Sequence, residues 1–280
     1  MATVELYRLS CGTLKIPGNL LLSDLSDKPE DALHCEDWAF LIKHKDRVVL
    51  WDSGLACDLS IYPPVTQKRM PTFNPVGPDR SLKDKLEDAG ILPGSVTDVV
   101  FSHAHWDHQQ PIHIMFPNAT AWLGPGTTAH CGKGYPTDPE AGMFSELLDP
   151  EKRIGKVREL SLSDDKWSKY GPFPHAFDFF GDGALMLCNA PGHIPGNMCA
   201  VVRTDKGPVC LGGDCAHNMR LITGESEVGQ WKKENGELTS MHASVDDARS
   251  TIKKIRQLKE EGVIIALAHD PTFEWHQTIE

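Results

Sequence analysis

Several features that assign proteins to well-known classes are missing from this chain. No C-x-x-C pair occurs among its 8 cysteines, and no run of lysine or arginine is longer than two residues. The longest apolar run, residues 263–268, is far too short to span a bilayer. The first residues show no basic segment followed by an apolar one, so no signal peptide is predicted. We therefore expect a cytoplasmic protein with reduced cysteines and no membrane partner.

Charge and composition narrow the class further. The formal net charge of −11 implies an acidic surface that repels phosphate backbones, so nucleic acid is not expected as a substrate or partner. A hydrophobic content of 40% is ample for a soluble protein with a sizeable core. No linker composition and no internal repeat divides the chain. We therefore predict a single domain over residues 1–280.

Histidine is concentrated in one short segment. His103, His105 and His108, together with Asp107, follow directly after the apolar run at residues 99–101. Packing alone does not explain three histidines so close together, because each buried imidazole needs a hydrogen-bond partner. Neutral imidazole and carboxylate are ligands that zinc, manganese and iron share. The alternative is a solvated histidine-rich turn. The segment predicts a metal site at the end of a strand.

Strand and helix signals follow the same order in both halves of the chain. The first half predicts strands at 4–9, 38–43 and 48–51, a helix that begins after Ser81, and a strand at 96–101. The second half predicts strands at 184–188, 198–203 and 209–211, a helix that begins after Ser244, and a strand at 263–268. Helices covering the outer faces of two packed sheets would give an α+β fold, a four-layer αββα sandwich.

Three stretches, residues 18–35, 55–79 and 124–180, show no regular pattern. Five prolines in residues 55–79 predict that this segment is irregular. We expect the three stretches to lie over the metals as loops, whose apolar side chains line a pocket for a small-molecule substrate with an apolar substituent. The alternative is that these side chains fix the loops to the core or to a second subunit of a homodimer.

Three further positions combine a metal-compatible residue with the end of a predicted strand. His193 lies in a turn rich in glycine and proline, Asp214 follows two glycines, and His269 ends the last strand. Each position alone is more often structural. Together with the first segment they give too many ligands for one tetrahedral zinc, and about the number that two metals sharing a carboxylate require. The candidate metal ligands are His103, His105, Asp107, His108, His193, Asp214 and His269.

In order and spacing, these motifs resemble the metallo-β-lactamase superfamily. The resemblance covers roughly residues 4–272 and includes the turn at residues 52–54. It implies the αββα fold and two metal positions that share Asp214. In that pattern the first metal is held by His103, His105 and His193, and the second by Asp107, His108 and His269.

Within the superfamily, the layout is most similar to N-acyl homoserine lactonases and related lactone or lactam hydrolases. Two Zn²⁺ ions are the expected cofactors, with manganese or iron as alternatives. Such a pair generates a hydroxide nucleophile and polarises a carbonyl. Asp107 is predicted to be catalytic, orienting the nucleophile or carrying a proton to the leaving group. We expect Asp52 to hydrogen-bond a ligand imidazole; the alternative is an ordinary turn aspartate.

The chain departs from this pattern at two places. Gln109 and Gln110 stand where the family has two small residues. His217 stands where such lactonases have a tyrosine that contacts the substrate carbonyl. Since an imidazole can donate the same hydrogen bond or act as a general acid, we predict that His217 is catalytic; the alternative is a surface loop histidine. Cys215, next to Asp214, is expected to point away from the metals.

The predicted activity is opening of a small lactone or lactam by a dinuclear metal-dependent hydrolase. The nearest alternative is a thioesterase of the glyoxalase II or polyketide-releasing kind, since the same metals would serve a thioester. An alternative from another class is a mononuclear-iron persulfide dioxygenase. The presence of Asp107, His108 and His269 favours two metals, and His105 stands where the flavin-linked diiron branch has a glutamate.

Overall fold

The computed structural model describes residues 2–28 and 30–280. Its strands, in chain order, are β1 (Glu5–Pro17), β2 (Ala32–His44), β3 (Arg47–Trp51), β4 (Asp98–Val100), β5 (Thr120–Leu123), β6 (Lys156–Glu159), β7 (Trp167–Tyr170), β8 (Phe173–Asp178), β9 (Leu185–Asn189), β10 (Met198–Thr204), β11 (Gly207–Gly213), β12 (Trp231–Lys232), β13 (Leu238–Thr239), β14 (Ile264–Leu267) and β15 (Thr278–Ile279).

These strands form two large sheets and a small ribbon. The first sheet has the order β15-β1-β2-β3-β4-β5-β6 and the second the order β14-β11-β10-β9-β8-β7, while β12 and β13 pair with each other. Strands β3 and β4 are parallel neighbours in the first sheet, and β11 and β14 are parallel neighbours in the second. The carboxyl ends of each parallel pair therefore lie at one edge of their sheet.

The helices are short except for one. They are α1 (Gly18–Leu21), α2 (Pro64–Phe73), α3 (Leu82–Asp88), α4 (Ile112–Met115), α5 (Thr127–Cys131), α6 (Ser145–Leu148), α7 (Met219–Thr223) and α8 (Val245–Glu260). The side chains of Ser81 and Ser244 accept hydrogen bonds from the backbone N–H groups of Asp84 and Asp247, which caps α3 and α8 as the sequence predicts.

Three buried clusters show how the layers pack. One lies between the sheets and joins Phe40 and Val100 of the first sheet to Leu187 and Leu211 of the second. Another packs α8 on the outer face of the second sheet, and the last packs α3 and α4 on the outer face of the first sheet. This arrangement confirms the predicted four-layer αββα sandwich. The extent of the domain, residues 1–280, stays a prediction.

All three of the stretches predicted to be irregular contain regular structure, since residues 18–35 include α1 and the start of β2. Residues 55–79 include α2, because Pro63 and Pro64 stand at the start of that helix, where a missing backbone N–H costs nothing. Residues 124–180 include β6, β7 and β8, whose short runs give a weak strand signal. The expectation of loops is therefore wrong for these parts, and Phe173 packs in the core beneath the second sheet.

None of the helices in the described part of the chain combines the length and apolarity needed to span a bilayer. All eight cysteines are free thiols, and Cys215 packs in the core between the second sheet and α8. Its sulfur accepts a hydrogen bond from Asn197 Nδ2 at 3.3 Å, so this side chain points into the core as expected.

Candidate metal centre

The candidate ligands meet because each follows a strand at the same end of the sandwich. The segment at residues 103–108 follows β4, His193 follows β9, Asp214 follows β11 and His269 follows β14. A backbone hydrogen bond of 2.7 Å from Met198 N to Ser102 O ties the two sheets together here. The convergence therefore results from strand order, with ligands contributed by both sheets.

Gly213 permits this close approach of the two sheets. Its φ of +49° lies in the left-handed region that favours glycine. A Cβ atom at this position would lie 2.8 Å from Ser102 Cβ, closer than carbon atoms pack. The glycine before Asp214 thus lets that carboxylate reach the residues that follow β4, as the sequence predicts.

The first group consists of three imidazoles and one carboxylate. His193 Nε2 lies 2.8 Å from His105 Nδ1 and 3.4 Å from Asp214 Oδ2, and His103 Nε2 lies 3.8 Å from the same oxygen. One ligand-type atom from each of the four residues lies within 4.8 Å of the others. Two imidazole nitrogens at 2.8 Å repel each other unless a proton or a cation lies between them. The geometry suits a metal with imidazole ligands.

The second group consists of Asp107, His108 and His269, whose ligand-type atoms also lie within 4.8 Å of one another. His269 Nε2 is 3.6 Å from Asp107 Oδ2. Asp214 Oδ1 is 3.2 Å from both His108 Nε2 and His269 Nε2. The two oxygens of Asp214 are thus divided, with Oδ2 facing the first group and Oδ1 facing the second. Asp214 therefore lies between the two groups, with one carboxylate oxygen directed at each.

The opposite ring nitrogens of His103, His108 and His269 are held by hydrogen bonds. His108 Nδ1 donates to Asp52 Oδ2 at 2.9 Å, and His269 Nδ1 donates to the carbonyl oxygen of Glu36 at 2.8 Å. His103 Nδ1 lies 3.0 Å from Ser102 Oγ. Because Nδ1 of His108 and of His269 donates a hydrogen bond away from the centre, each Nε2 faces the centre. Asp52 thus has the hydrogen-bonding role expected of it.

The electrostatics of the two groups differ. Burial lowers the pKa of His103 and His193 well below the usual range, which keeps these rings neutral. Burial acts in the same direction on His269, but Asp214 and Asp107 outweigh it and raise the pKa of His269 to about 9. The first group therefore offers neutral lone pairs, and the carboxylates of the second stabilise positive charge.

Unsatisfied polar atoms show that these residues fit divalent cations. Among the described residues, His103 Nε2, His108 Nε2 and Asp214 Oδ1 are buried without a hydrogen-bond partner. Burying such an atom unpaired costs about 1–3 kcal/mol, and more for a charged group. All three belong to the two groups described above, and imidazole nitrogen and carboxylate oxygen are ligands for zinc-type metals. Bound cations would satisfy all three atoms.

The structure also places the two residues predicted to be catalytic. Asp107 and His217 both line the cavity at the metal centre. His217 is only 2% exposed, and its Nε2 lies 3.2 Å from Asp214 Oδ2. The alternative of a surface loop histidine is therefore wrong. Gln110 has a structural role, since its Nε2 donates to the carbonyl oxygens of Ser53 and Gly54 and fixes the turn that holds Asp52.

One histidine beside the centre was not predicted from the sequence. The His242 ring lies 5.2 Å from that of His193 and 5.1 Å from that of His217, measured between centroids. In the sequence, His242 is an isolated histidine two residues before the cap of α8, with no strand ending there. No local signal marks it, because its position depends on where α8 packs.

A cavity of about 350 Å³ opens over the centre. Of the apolar residues in the stretches 55–79 and 124–180, Phe73 and Met143 line this cavity, whereas Met70 and Phe144 pack in a small satellite core. Four apolar residues that line the cavity were not predicted: Leu14, Ile16, Trp106 and Met241. The cavity thus joins the metal groups to a largely apolar wall, which supports the expected apolar substituent.

Comparison with known proteins agrees with this geometry. Residues 35–108 match the family model of the metallo-β-lactamase superfamily. The chain is 32% identical over 198 residues to the metallo-hydrolase mfmC of Annulohypoxylon moriforme, which covers 68% of this chain and 50% of that protein. It is 30% identical over 199 residues to the gamma-lactamase FDB1 of Fusarium pseudograminearum, covering 67% of this chain and 47% of that protein. The chain thus spans about half of the length of both fungal relatives.

Two further comparisons extend over nearly the whole chain. The N-acyl homoserine lactonase AttM of Rhizobium johnstonii is 25% identical over 285 residues, which are 97% of this chain and 95% of that protein. A solved structure of a B. thuringiensis AiiA variant, with N-decanoyl-L-homoserine bound at its active site, has a TM-score of 0.72 at 18% identity and covers 96% of this chain and 95% of its own. The chain carries a metallo-β-lactamase superfamily domain, and this fold implies divalent metal binding.

Proposed function

We propose that this chain is a dinuclear metal-dependent hydrolase that opens a small lactone or lactam bearing an apolar substituent. The division of the Asp214 oxygens between two separate groups carries the proposal, because one cation in each group would share this carboxylate. The ligands are imidazole and carboxylate, so zinc is the first candidate, with manganese or iron as alternatives. The names of the relatives, a gamma-lactamase and an N-acyl homoserine lactonase, support the same substrate class.

Each candidate ligand has a defined position in this proposal. His103, His105 and His193 would hold one cation, while Asp107, His108 and His269 would hold the other, with Asp214 between them. Bound divalent cations would supply Lewis acidity and lower the pKa of a water molecule to near neutrality. The hydrogen bonds from His108 to Asp52 and from His269 to Glu36 orient the ligand rings before any substrate arrives.

Two residues would act on the substrate itself. Asp107 lines the cavity and is the carboxylate that could orient the attacking water or pass its proton to the leaving group. His217 lines the same cavity, and its buried Nε2 has no hydrogen-bond partner among the described residues. A protonated nitrogen there would donate to the substrate carbonyl oxygen and stabilise the charge that develops on it.

The shape of the cavity favours a small substrate. Its volume of about 350 Å³ lies near the lower end of the range for small-molecule sites, roughly 300–1,000 Å³. Phe73, Trp106 and Met241 form part of its wall, so a ring or alkyl substituent would be held by apolar contact while the scissile bond faces the metals.

The test is metal content measured together with hydrolysis of a lactone, a lactam and a thioester. We expect close to two zinc ions per chain, ring opening that chelation abolishes, and loss of both in Asp214→Ala. Asp98→Asn is the control, because Asp98 is a buried aspartate at the opposite end of β4 and should keep metal and activity. Thioester hydrolysis alone would favour the thioesterase. One iron per chain with oxygen uptake would overturn the hydrolase.

A further inference from the structure

A third group of histidines lies beside the two metal groups. His193, His217 and His242 each offer one ring nitrogen, and these nitrogens lie within 4.8 Å of one another. His217 is 2% exposed and His242 is 5% exposed, so all three rings are buried. They come from three separate segments of the chain: the turn after β9, the turn after β11 and the loop before α8.

Backbone hydrogen bonds hold His242 in this position. Ala243 N donates to the carbonyl oxygen of His193 at 2.7 Å, and Ser244 N donates to that of Gly192 at 3.0 Å. Gly192 has a φ of +136°, and a Cβ atom there would lie 2.4 Å from Ala248 N in the first turn of α8. A glycine is therefore needed for α8 to approach the His193 turn, and this approach brings His242 next to His193.

The ring nitrogens of this group are unsatisfied. Within residues 2–28 and 30–280, His193 Nδ1, His217 Nε2 and His242 Nδ1 are buried without a hydrogen-bond partner. A purely structural contact would satisfy these atoms or replace the rings with apolar side chains, since buried polar atoms are normally paired.

We propose that His193, His217 and His242 form an additional binding site for a zinc-type cation, beyond the two positions of the metal centre. Three imidazoles are borderline-soft ligands, which favour Zn²⁺ and Co²⁺ over Mg²⁺. Asp214 Oδ2, 3.2 Å from His217 Nε2, supplies negative charge beside the site. This inference rests on the proposed assignment of His193 to the first metal. Because His193 would hold the first cation through Nε2, its Nδ1 must release its proton to solvent before it can hold the additional cation, so that cation binds more weakly and only when metal is in excess.

Occupancy of this site has a consequence for the cavity. His217 lines the cavity wall, and a cation bound to its ring would remove the hydrogen-bond donor proposed to contact the substrate carbonyl. Excess zinc would therefore inhibit hydrolysis without displacing the two tighter cations. The inhibition should disappear when His242 is replaced, because His242 belongs only to this third group.

The test is zinc binding by equilibrium dialysis, measured without substrate so that it does not depend on the hydrolase proposal. Wild type should bind one more zinc than His242→Ala in excess metal, while the tighter zinc ions are the same in both. In His242→Ala the affinity of the protein for this additional zinc should fall at least roughly 10–100-fold, because loss of even an outer partner of a metal site costs that much. His113→Ala is the matched control, since His113 is also buried with an unpartnered Nδ1 but lies outside all three groups.

A second variant and a second metal complete the experiment. His217→Ala removes a ligand from a different segment and should lose the same zinc, which guards against a folding defect in either variant. Titration with Co²⁺ should show a late change in visible absorption that both variants lack, whereas Mg²⁺ should add nothing. Identical isotherms for wild type and His242→Ala would overturn the proposal. Loss of all zinc in His242→Ala would place His242 in the main centre and overturn a separate site.

Discussion

Asp52 provides a sharp test of how the metal centre is held. Its side chain is fully buried, and each carboxylate oxygen accepts one hydrogen bond: Oδ1 from Ser102 N at 2.6 Å and Oδ2 from His108 Nδ1 at 2.9 Å. Asp52→Ala would leave both donors buried and unpaired, at about 1–3 kcal/mol each. We therefore expect this variant to lose about 2–6 kcal/mol of unfolding free energy.

Asp52→Asn separates stability from metal binding. An amide keeps one acceptor and turns the other oxygen into a donor, so only one of the two hydrogen bonds survives, and the loss should be about 1–3 kcal/mol. Asparagine also tolerates the φ of +61° at this position better than alanine does. Because the Asp52 carboxylate no longer orients and polarises His108, zinc affinity at the second group should fall roughly 10–100-fold.

The assays are urea unfolding of the metal-free protein and zinc competition against a chelator of known affinity. Stability should follow the order wild type, Asp52→Asn, Asp52→Ala, and zinc affinity should fall in both variants. The reasoning is refuted if Asp52→Asn binds two zinc ions as tightly as wild type, since the hydrogen bond to His108 would then have no influence on the ligand. It is also refuted if the two variants are equally stable.

Three further predictions address other parts of the molecule. Gln109 is buried with both amide atoms unpartnered among the described residues. Gln109→Met removes these unpaired atoms and should raise the midpoint of thermal unfolding by about 2–4 °C for each kcal/mol of unfolding free energy that is gained. An unchanged or lower midpoint would contradict this. Burial raises the pKa of Glu146 from its usual 4.5 to about 7, so the folded protein keeps a proton on this carboxyl that the unfolded chain releases near pH 4.5. The free energy of unfolding therefore falls as the pH rises from about 4.5 through 7. Glu146→Gln should therefore be more stable than wild type at pH 8 but not at pH 4, and a difference independent of pH would refute that assignment. Cys57 is exposed and Cys131 half-buried while the other six thiols are buried, so a thiol reagent should label the native protein at Cys57 first and Cys131 next; rapid labelling of all eight would contradict the buried core.

The features that could be predicted from the sequence are local. The spacing of His103, His105 and His108 lies within one short segment, and each of His193, Asp214 and His269 stands at or just after the end of a predicted strand. Helix starts at Ser81 and Ser244 are visible because capping involves residues only three positions apart. The αββα architecture follows from the order of such elements, because each apolar face must be covered.

Other features depend on contacts between residues far apart in the chain, and only the tertiary structure decided them. The strands β7 and β8 are defined by pairing with each other and with β9, so their short sequences give little warning. His242 reaches the centre only because Gly192 lets α8 pack against the His193 turn. The cavity wall joins Leu14 of β1 to Met241 of a distant loop. The sequence by itself determined which residues can bind metal, since that is a property of side-chain chemistry and local spacing. Packing decided which of them lie together in each group and which line the cavity, because those relations exist only between elements that the fold brings together.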